Sequence, residues 1–325
     1  MAVYTQVPAE DIDSFLSRYD AGRLVSAKGI AEGVENSNYL LETTGPDGSG
    51  HRYILTLYEK RVNEDDLPFF MDLLDHLGAR GCLVPRFIAD REGNRLQQLA
   101  GRPACLIEFL TGISVTEPTE GQARAAGAAL GGLHRAAEGF AAIRPNTFDK
   151  DGWHDLADRI ADDFDRITPE LAARVAQELA FLDAHWPADL PRSVIHADLF
   201  PDNVLMLGDE VTGLIDFYFS CTDIRAYDLA VMHSAWCFSN DGATWFGARA
   251  AALGEGYRAA HGLTDAERAA FPILCRGAAL RFLLTRAYDW INTPADALVV
   301  RKDPLAYLRR LDFYASADPA DLLGA

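Results

Sequence analysis

The hydrophobic positions change their period about a third of the way along this 325-residue chain. Up to residue 107 they alternate or gather in short runs: Leu24 to Ala27, Asn38 to Thr43, Arg52 to Tyr58, Arg86 to Ala89, Leu96 to Gln98 and Ala104 to Ile107. Runs of this length and composition predict strands. The Gly/Pro/Asp cluster from Thr44 to Gly50 predicts a hairpin between the second and third. One segment breaks the pattern. Phe69, Leu73, Leu74 and Leu77 fall at helical spacing within Asp65–Arg80, with Asp66 as a cap and Gly81 after the end. Past the short connection Glu108–Gly112 the spacing turns helical. Helices are predicted over Thr119–Phe140, Asp155–Ile167, Pro169–His185, Asp228–Phe238, Thr244–His261, Asp265–Asn292 and Asp303–Ser316. The expected organisation is a strand-rich lobe over residues 1–107, a hinge at 108–112 and a mainly helical lobe over 113–325.

One stretch of the second part is not helical. His196-Ala-Asp198-Leu-Phe-Pro-Asp202-Asn203 is followed by two short apolar runs, Val204–Leu207 and Val211–Ile215, with Gly208-Asp209-Glu210 between them, and then by Asp216-Phe217-Tyr218. The two runs predict a hairpin. Asn203 just before its first strand and Asp216 just after its second then lie at one end, where both can offer oxygen to a hard cation. The spacing of Asp198 and Asn203 matches the His-Arg-Asp-x-x-x-x-Asn loop of phosphoryl-transfer kinases, in which the Asp receives the proton of the attacking hydroxyl and the Asn holds Mg²⁺. Turn formation alone accounts for Asn203 and Asp216 singly. It does not account for His196 and Asp198 in register with them.

Composition narrows the partners. Hydrophobic residues are 49% and charged residues 24%, as in globular proteins that fold in water, and no apolar run is long enough for a membrane span. The N-terminus lacks a basic segment followed by an apolar one, so no signal peptide is expected and a cytoplasmic location is. The five cysteines show no Cys-x-x-Cys pairing and are expected to be reduced core thiols. The net charge of −18 argues against nucleic acid, which requires clustered Lys and Arg. A nucleotide remains compatible, because Mg²⁺ and a few basic groups neutralise it locally.

Taken together, these stretches resemble the aminoglycoside phosphotransferase and choline kinase superfamily. Within it they are most similar to the homoserine kinases, through Gly33 to Tyr39, Tyr53 to Lys60, Leu67 to Leu77, His196 to Leu205, Tyr227 to Ala230 with Ala235 to Phe238, and Leu280 to Trp290. The resemblance implies an α+β, bilobal, protein-kinase-like fold. It has an N-terminal antiparallel sheet lobe with one helix, and a larger, mainly helical C-terminal lobe. It also implies ATP and Mg²⁺ as cofactors and L-homoserine as acceptor. On it, Asp198 is the catalytic base, and Asn203 and Asp216 are the Mg²⁺ ligands. Gly33, Asn36 and Asn38 belong to the loop over the phosphates. The backbone from Glu108 to Leu110 meets the adenine edge, with Ile107 and Leu205 sandwiching the ring. His196 reads as a brace for the loop. Asp202 is either a capping residue or a contact to metal or substrate. His134 and Asp228 read as braces, and His233 and Trp236 either line the acceptor pocket or, for Trp236 above all, belong to the core. Arg281 or Arg286 would hold the acceptor carboxylate and Asp289 its ammonium, or else Arg286 and Asp289 form an internal ion pair.

Two positions depart from the superfamily pattern. Thr56 stands where a phosphate-binding lysine is usual, and Phe70 stands where its glutamate partner would fall. The two losses are physically consistent, since a buried ammonium requires a partner and an absent one does not. Lys28, Lys60 and Arg61 are candidate replacement cations. A kinase of choline, an aminoglycoside or a sugar is the alternative acceptor reading. A nucleotide-binding protein without catalysis is the alternative of another class.

Overall fold

The structure is a computed structural model that describes residues 5–30, 36–59, 63–293 and 301–324. Gly33, Lys60 and Arg61 lie outside the described residues. The chain divides into two compact units, residues 1–111 and 112–325.

Among the described residues the first unit is an antiparallel sheet with two helices. Its elements are α1 (Ala9–Leu16), β1 (Arg23–Ile30), β2 (Asn36–Thr44), β3 (Gly50–Tyr58), α2 (Leu67–Gly78), β4 (Phe87–Ile88), β5 (Gln97–Leu99) and β6 (Arg102–Glu108). The strands pair in the order β1-β2-β3-β6-β4, and β5 adds to β6. The β2–β3 hairpin closes where Gly45 N–H meets the Ser49 carbonyl (2.7 Å) and Gly48 takes a left-handed φ of 83°. Alternation sends Tyr39 and Leu41 of β2 and Leu55 and Leu57 of β3 to one core cluster. Helix α1 is an addition to the single helix expected here. Ile12, Phe15 and Leu16 lie at i, i+3 and i+4 and are sealed in that same cluster. Each such side chain contributes roughly 1.5–3 kcal/mol by leaving water. Helix α2 buries Phe70, Leu73, Leu74 and Leu77. Strand β6 runs through Glu108, one residue into the expected hinge, because Glu108 pairs with Tyr53 and gives its N–H to the Arg86 carbonyl (2.9 Å).

The second unit is mainly helical: α3 (Glu120–Ala136), α4 (Lys150–Arg159), α5 (Leu171–His185), α6 (Arg225–Trp236), α7 (Gly247–Ala260), α8 (Asp265–Asn292) and α9 (Leu305–Ser316). Capping boxes set two starts, Thr119 with Gln122 and Thr264 with Glu267. Two small sheets interrupt the helices. One pairs β7 (Arg192–Ile195) with β10 (Cys221–Ile224). The other is the hairpin of β8 (Val204–Leu207) and β9 (Glu210–Leu214). The Ala/Gly composition of α3 has a packing reason. A Cβ at Gly127 would collide with the Leu253 carbonyl, and one at Gly256 with the Arg124 carbonyl, so α3 and α7 meet backbone to backbone. That approach carries His134 of α3 to within a hydrogen bond of Tyr257 on α7 (2.8 Å). Cys105, Cys221, Cys237 and Cys275 are buried and unpaired, and Cys82 is half-buried. Among the described residues no helix is long and apolar enough to cross a membrane.

Candidate active site

The second unit gathers Asp198, Asn203 and Asp216 around one brace. After β7 the chain turns at Ala197, whose φ of 64° is left-handed for a residue with a Cβ. Such a conformation costs on the order of 1–3 kcal/mol and persists only where its surroundings enforce it. Here they do. Asp228 of α6 takes the N–H of His196 on Oδ2 (2.7 Å) and that of Ala197 on Oδ1 (2.8 Å). Arg281 of α8 donates through Nη1 to the Ala197 carbonyl. Asp228 also accepts from His134 Nε2 (3.1 Å). Burial pushes the Asp228 carboxyl up, but the His134 hydrogen bond and charge and the His196 backbone outweigh it and hold the group below the usual range.

From Ala197 onward the loop ties itself together. Phe200 N–H meets the Asp198 carbonyl (2.8 Å), and Trp236 Nε1 of α6 donates to the Leu199 carbonyl (2.9 Å). Pro201–Asn203 forms one 3₁₀ turn. Asn203 donates through Nδ2 to the Asp198 carbonyl (2.7 Å) and to Asp198 Oδ2 (3.3 Å). Ile215 N–H reaches the Asn203 carbonyl (3.0 Å), which brings Asp216 beside Asn203. His196 locks the ends of this arrangement. Its Nδ1 accepts the Asp198 N–H (3.3 Å), so its Nε2–H donates to the Ile215 carbonyl (3.0 Å), and its ring lies 4.5 Å from that of Phe217. Burial pushes the His196 pKa down, which fits a neutral ring with one donor and one acceptor.

The donors suit a hard divalent cation. Asn203 spends its amide N–H groups on Asp198, which leaves Oδ1 as its ligand atom. Asp216 sits at a left-handed φ of 66°. Water still reaches it, but protein crowds it from several sides, and this pushes its pKa to about 6 against the opposing charge of Lys302. A nearby metal ion would favour the ionised form. Among the described residues no group of three or more His, Cys, Asp or Glu gathers into a metal cage. A cation held by one carboxylate, one amide and phosphate oxygens has no need of one.

The other expected residues are placed as follows. Asp202 is 72% exposed, with Oδ2 3.9 Å from Lys302 Nζ. Arg281 is 2% exposed and lies near the Phe148, Phe219 and Phe282 rings. Arg286, also on α8, stacks on Tyr307 (4.5 Å) and donates to the Asp303 carbonyl (3.3 Å), within electrostatic reach of Asp198. Asp289 follows one turn later and is half-buried. Trp236 and His233 are fully buried. In the first unit Asn36 is buried with Oδ1 unpaired among the described residues, and Asn38 accepts from Thr56 Oγ1 (2.7 Å). Glu108 and Leu110 are half-buried. Two roles had no sequence signal. Arg281 fastens Ala197 across 84 residues, and Lys302 reaches the loop from the far end of the chain. Only the fold brings them there.

A sheet-built unit, a helical unit and a loop carrying Asp198, Asn203 and Asp216 define a protein-kinase-like phosphotransferase. The model of the family "Phosphotransferase enzyme family" matches residues 26–263. The homoserine kinase of Zymomonas mobilis subsp. mobilis is 54% identical over 319 residues, 98% of each chain. That of Gluconobacter oxydans is 53% identical, over 98% of this chain and 99% of its own. Among solved structures, spectinomycin phosphotransferase in complex with ADP and spectinomycin superposes with a TM-score of 0.74 at 14% identity, over 98% of this chain and all of its own. Choline kinase from Cryptosporidium parvum Iowa II does so at 0.66 and 15%, over 95% and 94% of the two chains. The chain belongs to the phosphotransferase enzyme family and, within it, to the homoserine kinases.

Proposed function

We propose that the chain transfers the γ-phosphoryl group of ATP to the side-chain hydroxyl of L-homoserine, giving O-phospho-L-homoserine and ADP. The single observation that carries the reaction class is the His196 brace, which holds Asp198, Asn203 and Asp216 in one constellation. Identity of 51–54% to relatives named homoserine kinase, over nearly the whole chain, supports the acceptor.

Asp198 orients the acceptor hydroxyl and receives its proton as the O–P bond forms and the bond to ADP breaks. Its carboxylate is steadied for this by Asn203 Nδ2, and its backbone by His196 Nδ1. Asn203 Oδ1 and Asp216 would hold Mg²⁺, which when bound neutralises phosphate charge. Gly33, Asn36 and Asn38 are assigned to the phosphates and the Glu108–Leu110 backbone to the adenine edge. Residues 1–107 then serve as the nucleotide lobe, 108–112 as the hinge and 113–325 as the catalytic and acceptor lobe. For the acceptor carboxylate Arg286 is better placed than Arg281, which is 2% exposed and gives Nη1 to the Ala197 carbonyl. Asp289 is assigned to the ammonium. Arg286→Lys should raise the homoserine KM at least tenfold, because an ammonium cannot form the bidentate pair. An unchanged KM would remove Arg286 from the acceptor site.

The deciding experiment is ADP release with Mg-ATP and a panel of L-homoserine, L-serine, L-threonine, choline and kanamycin. Selective turnover of L-homoserine is expected. Selective turnover of another acceptor would keep the Asp198 chemistry and overturn the substrate.

A further inference from the structure

The catalytic loop is strongly acidic. Asp198, Asp202 and Asp216 lie within one short segment of a chain of net charge −18, and the reaction assigned to them brings a polyphosphate to that segment. Phosphoryl transfer spreads negative charge over the oxygens of the moving group, and a fixed cation aimed at them lowers the barrier. The strand position where related kinases carry a lysine is Thr56, whose hydroxyl is occupied by Asn38, and Phe70 is sealed in its own unit. In the second unit the nearby guanidiniums have other work. Arg281 is fastened to Ala197, and Arg286 gives Nη1 to the Asp303 carbonyl and is assigned above to the acceptor carboxylate.

One ammonium stands over the loop itself. Lys302 Nζ lies 3.9 Å from Asp202 Oδ2 and 5.7 Å from the centre of the Phe200 ring, so it is aligned with the segment between Asp198 and Asn203. Its charge is also felt at Asp216, beside Asn203 at the same end of the hairpin. Its side chain is 62% exposed and that of Asp202 is 72% exposed. A long, solvated pair of this kind adds little to stability. A structural reason for the lysine is therefore weak, while its ammonium remains accessible to a ligand. Phe200 fixes the height of the charge without consuming it, because a cation over a ring keeps its hydrogen-bond donors.

We propose that Lys302 contacts the transferring phosphoryl group and supplies the positive charge that the strand position at Thr56 does not. This rests on the phosphoryl-transfer reading of the site and not on the identity of the acceptor. Lys302 touches the terminal phosphoryl and not the two retained by the product, so it distinguishes a nucleoside triphosphate from a diphosphate.

The test uses the full chain with Lys302→Met and Lys302→Arg. Turnover is measured with Mg-ATP and L-homoserine, and calorimetry measures AMP-PNP and ADP binding in the presence of Mg²⁺. Lys302→Met should lower kcat on the order of 100-fold, as removal of one transition-state donor does. It should weaken AMP-PNP on the order of 10-fold, the loss of one charge-assisted contact, and leave ADP affinity unchanged. Lys302→Arg should recover part of both losses. A wild-type kcat in Lys302→Met, or equal loss of AMP-PNP and ADP binding with a lowered melting temperature, would overturn the proposal. If the wild-type chain fails to turn over L-homoserine, the acceptor assignment falls. The AMP-PNP and ADP comparison still decides Lys302.

Discussion

Replacing Asp228 by Asn leaves volume and shape nearly unchanged and alters one thing, the charge and acceptor count at the centre of the brace. The carboxylate accepts three hydrogen bonds, from His196 N–H (2.7 Å), Ala197 N–H (2.8 Å) and His134 Nε2 (3.1 Å), with no exposure to water. An asparagine offers one oxygen in place of two, and its NH₂ faces a backbone N–H, donor against donor. Breaking a buried, hydrogen-bonded charge pair costs about 3–5 kcal/mol. Unfolding in urea should therefore show a loss of that size. Since the left-handed Ala197 is enforced by the same contacts, Asp198 also loses its position. Misplacement of a catalytic group by an ångström costs on the order of 100-fold in rate. Asp228→Asn should thus lower kcat about 100-fold while the ATP KM changes little. Equilibrium unfolding and steady-state kinetics on the same sample provide both numbers. Native stability together with native kcat would refute the brace. A full loss of stability with native kcat in the folded fraction would show that Ala197 holds its conformation without Asp228.

Three further outcomes are expected. Asp198→Asn should lower kcat by about 10²–10⁴ while calorimetry still shows Mg-ATP binding. Near-normal turnover would remove Asp198 from the chemistry. Asp216→Ala should abolish the Mg²⁺ dependence of nucleotide binding, read by calorimetry with and without the metal, and a dependence that survives would assign the cation elsewhere. His233 is fully buried between the Tyr314 hydroxyl and the Leu322 carbonyl, and burial lowers its pKa from 6.5 to about 4. The unfolded chain binds a proton between those pH values that the folded chain does not, so this group's contribution is present above 6.5 and falls away as the pH drops to 4. The stability difference between wild type and His233→Gln should shrink by about 3 kcal/mol over that window. A pH-independent difference would show that His233 is protonated in the folded state.

What the sequence reveals depends on whether the information is local. The β8–β9 hairpin and the helix Asp265–Asn292 follow from short-range apolar spacing, and the structure places both where that spacing does. The octet is legible because a loop that serves Asp198 and Asn203 is itself short. Helix α1 has a readable apolar face, yet its eight residues make a weak signal beside the longer ones. Strand β10, four residues long, exists because β7 is there to pair with it. The left-handed Ala197 has no sequence mark at all, since its cause is distributed over Asp228 and Arg281. Arg281 and Arg286 look alike in the chain, at helix positions five apart. Only the fold gives one the Ala197 carbonyl of the catalytic loop and the other the Asp303 carbonyl and the Tyr307 ring.

The order in which the loop and its fasteners occur along the chain has a consequence for biosynthesis. Residues 196–203 are made before Asp228, and Arg281 follows Ala197 by 84 residues. At about 5–20 residues per second, a ribosome needs roughly 4 to 17 seconds to cover that distance. During that interval the emerging polypeptide lacks the Arg281 bond to the Ala197 carbonyl, and until residue 228 is made it also lacks the carboxylate that accepts the His196 and Ala197 N–H groups. The full set of contacts that fixes the Ala197 turn is therefore available only to a polypeptide that extends through Arg281.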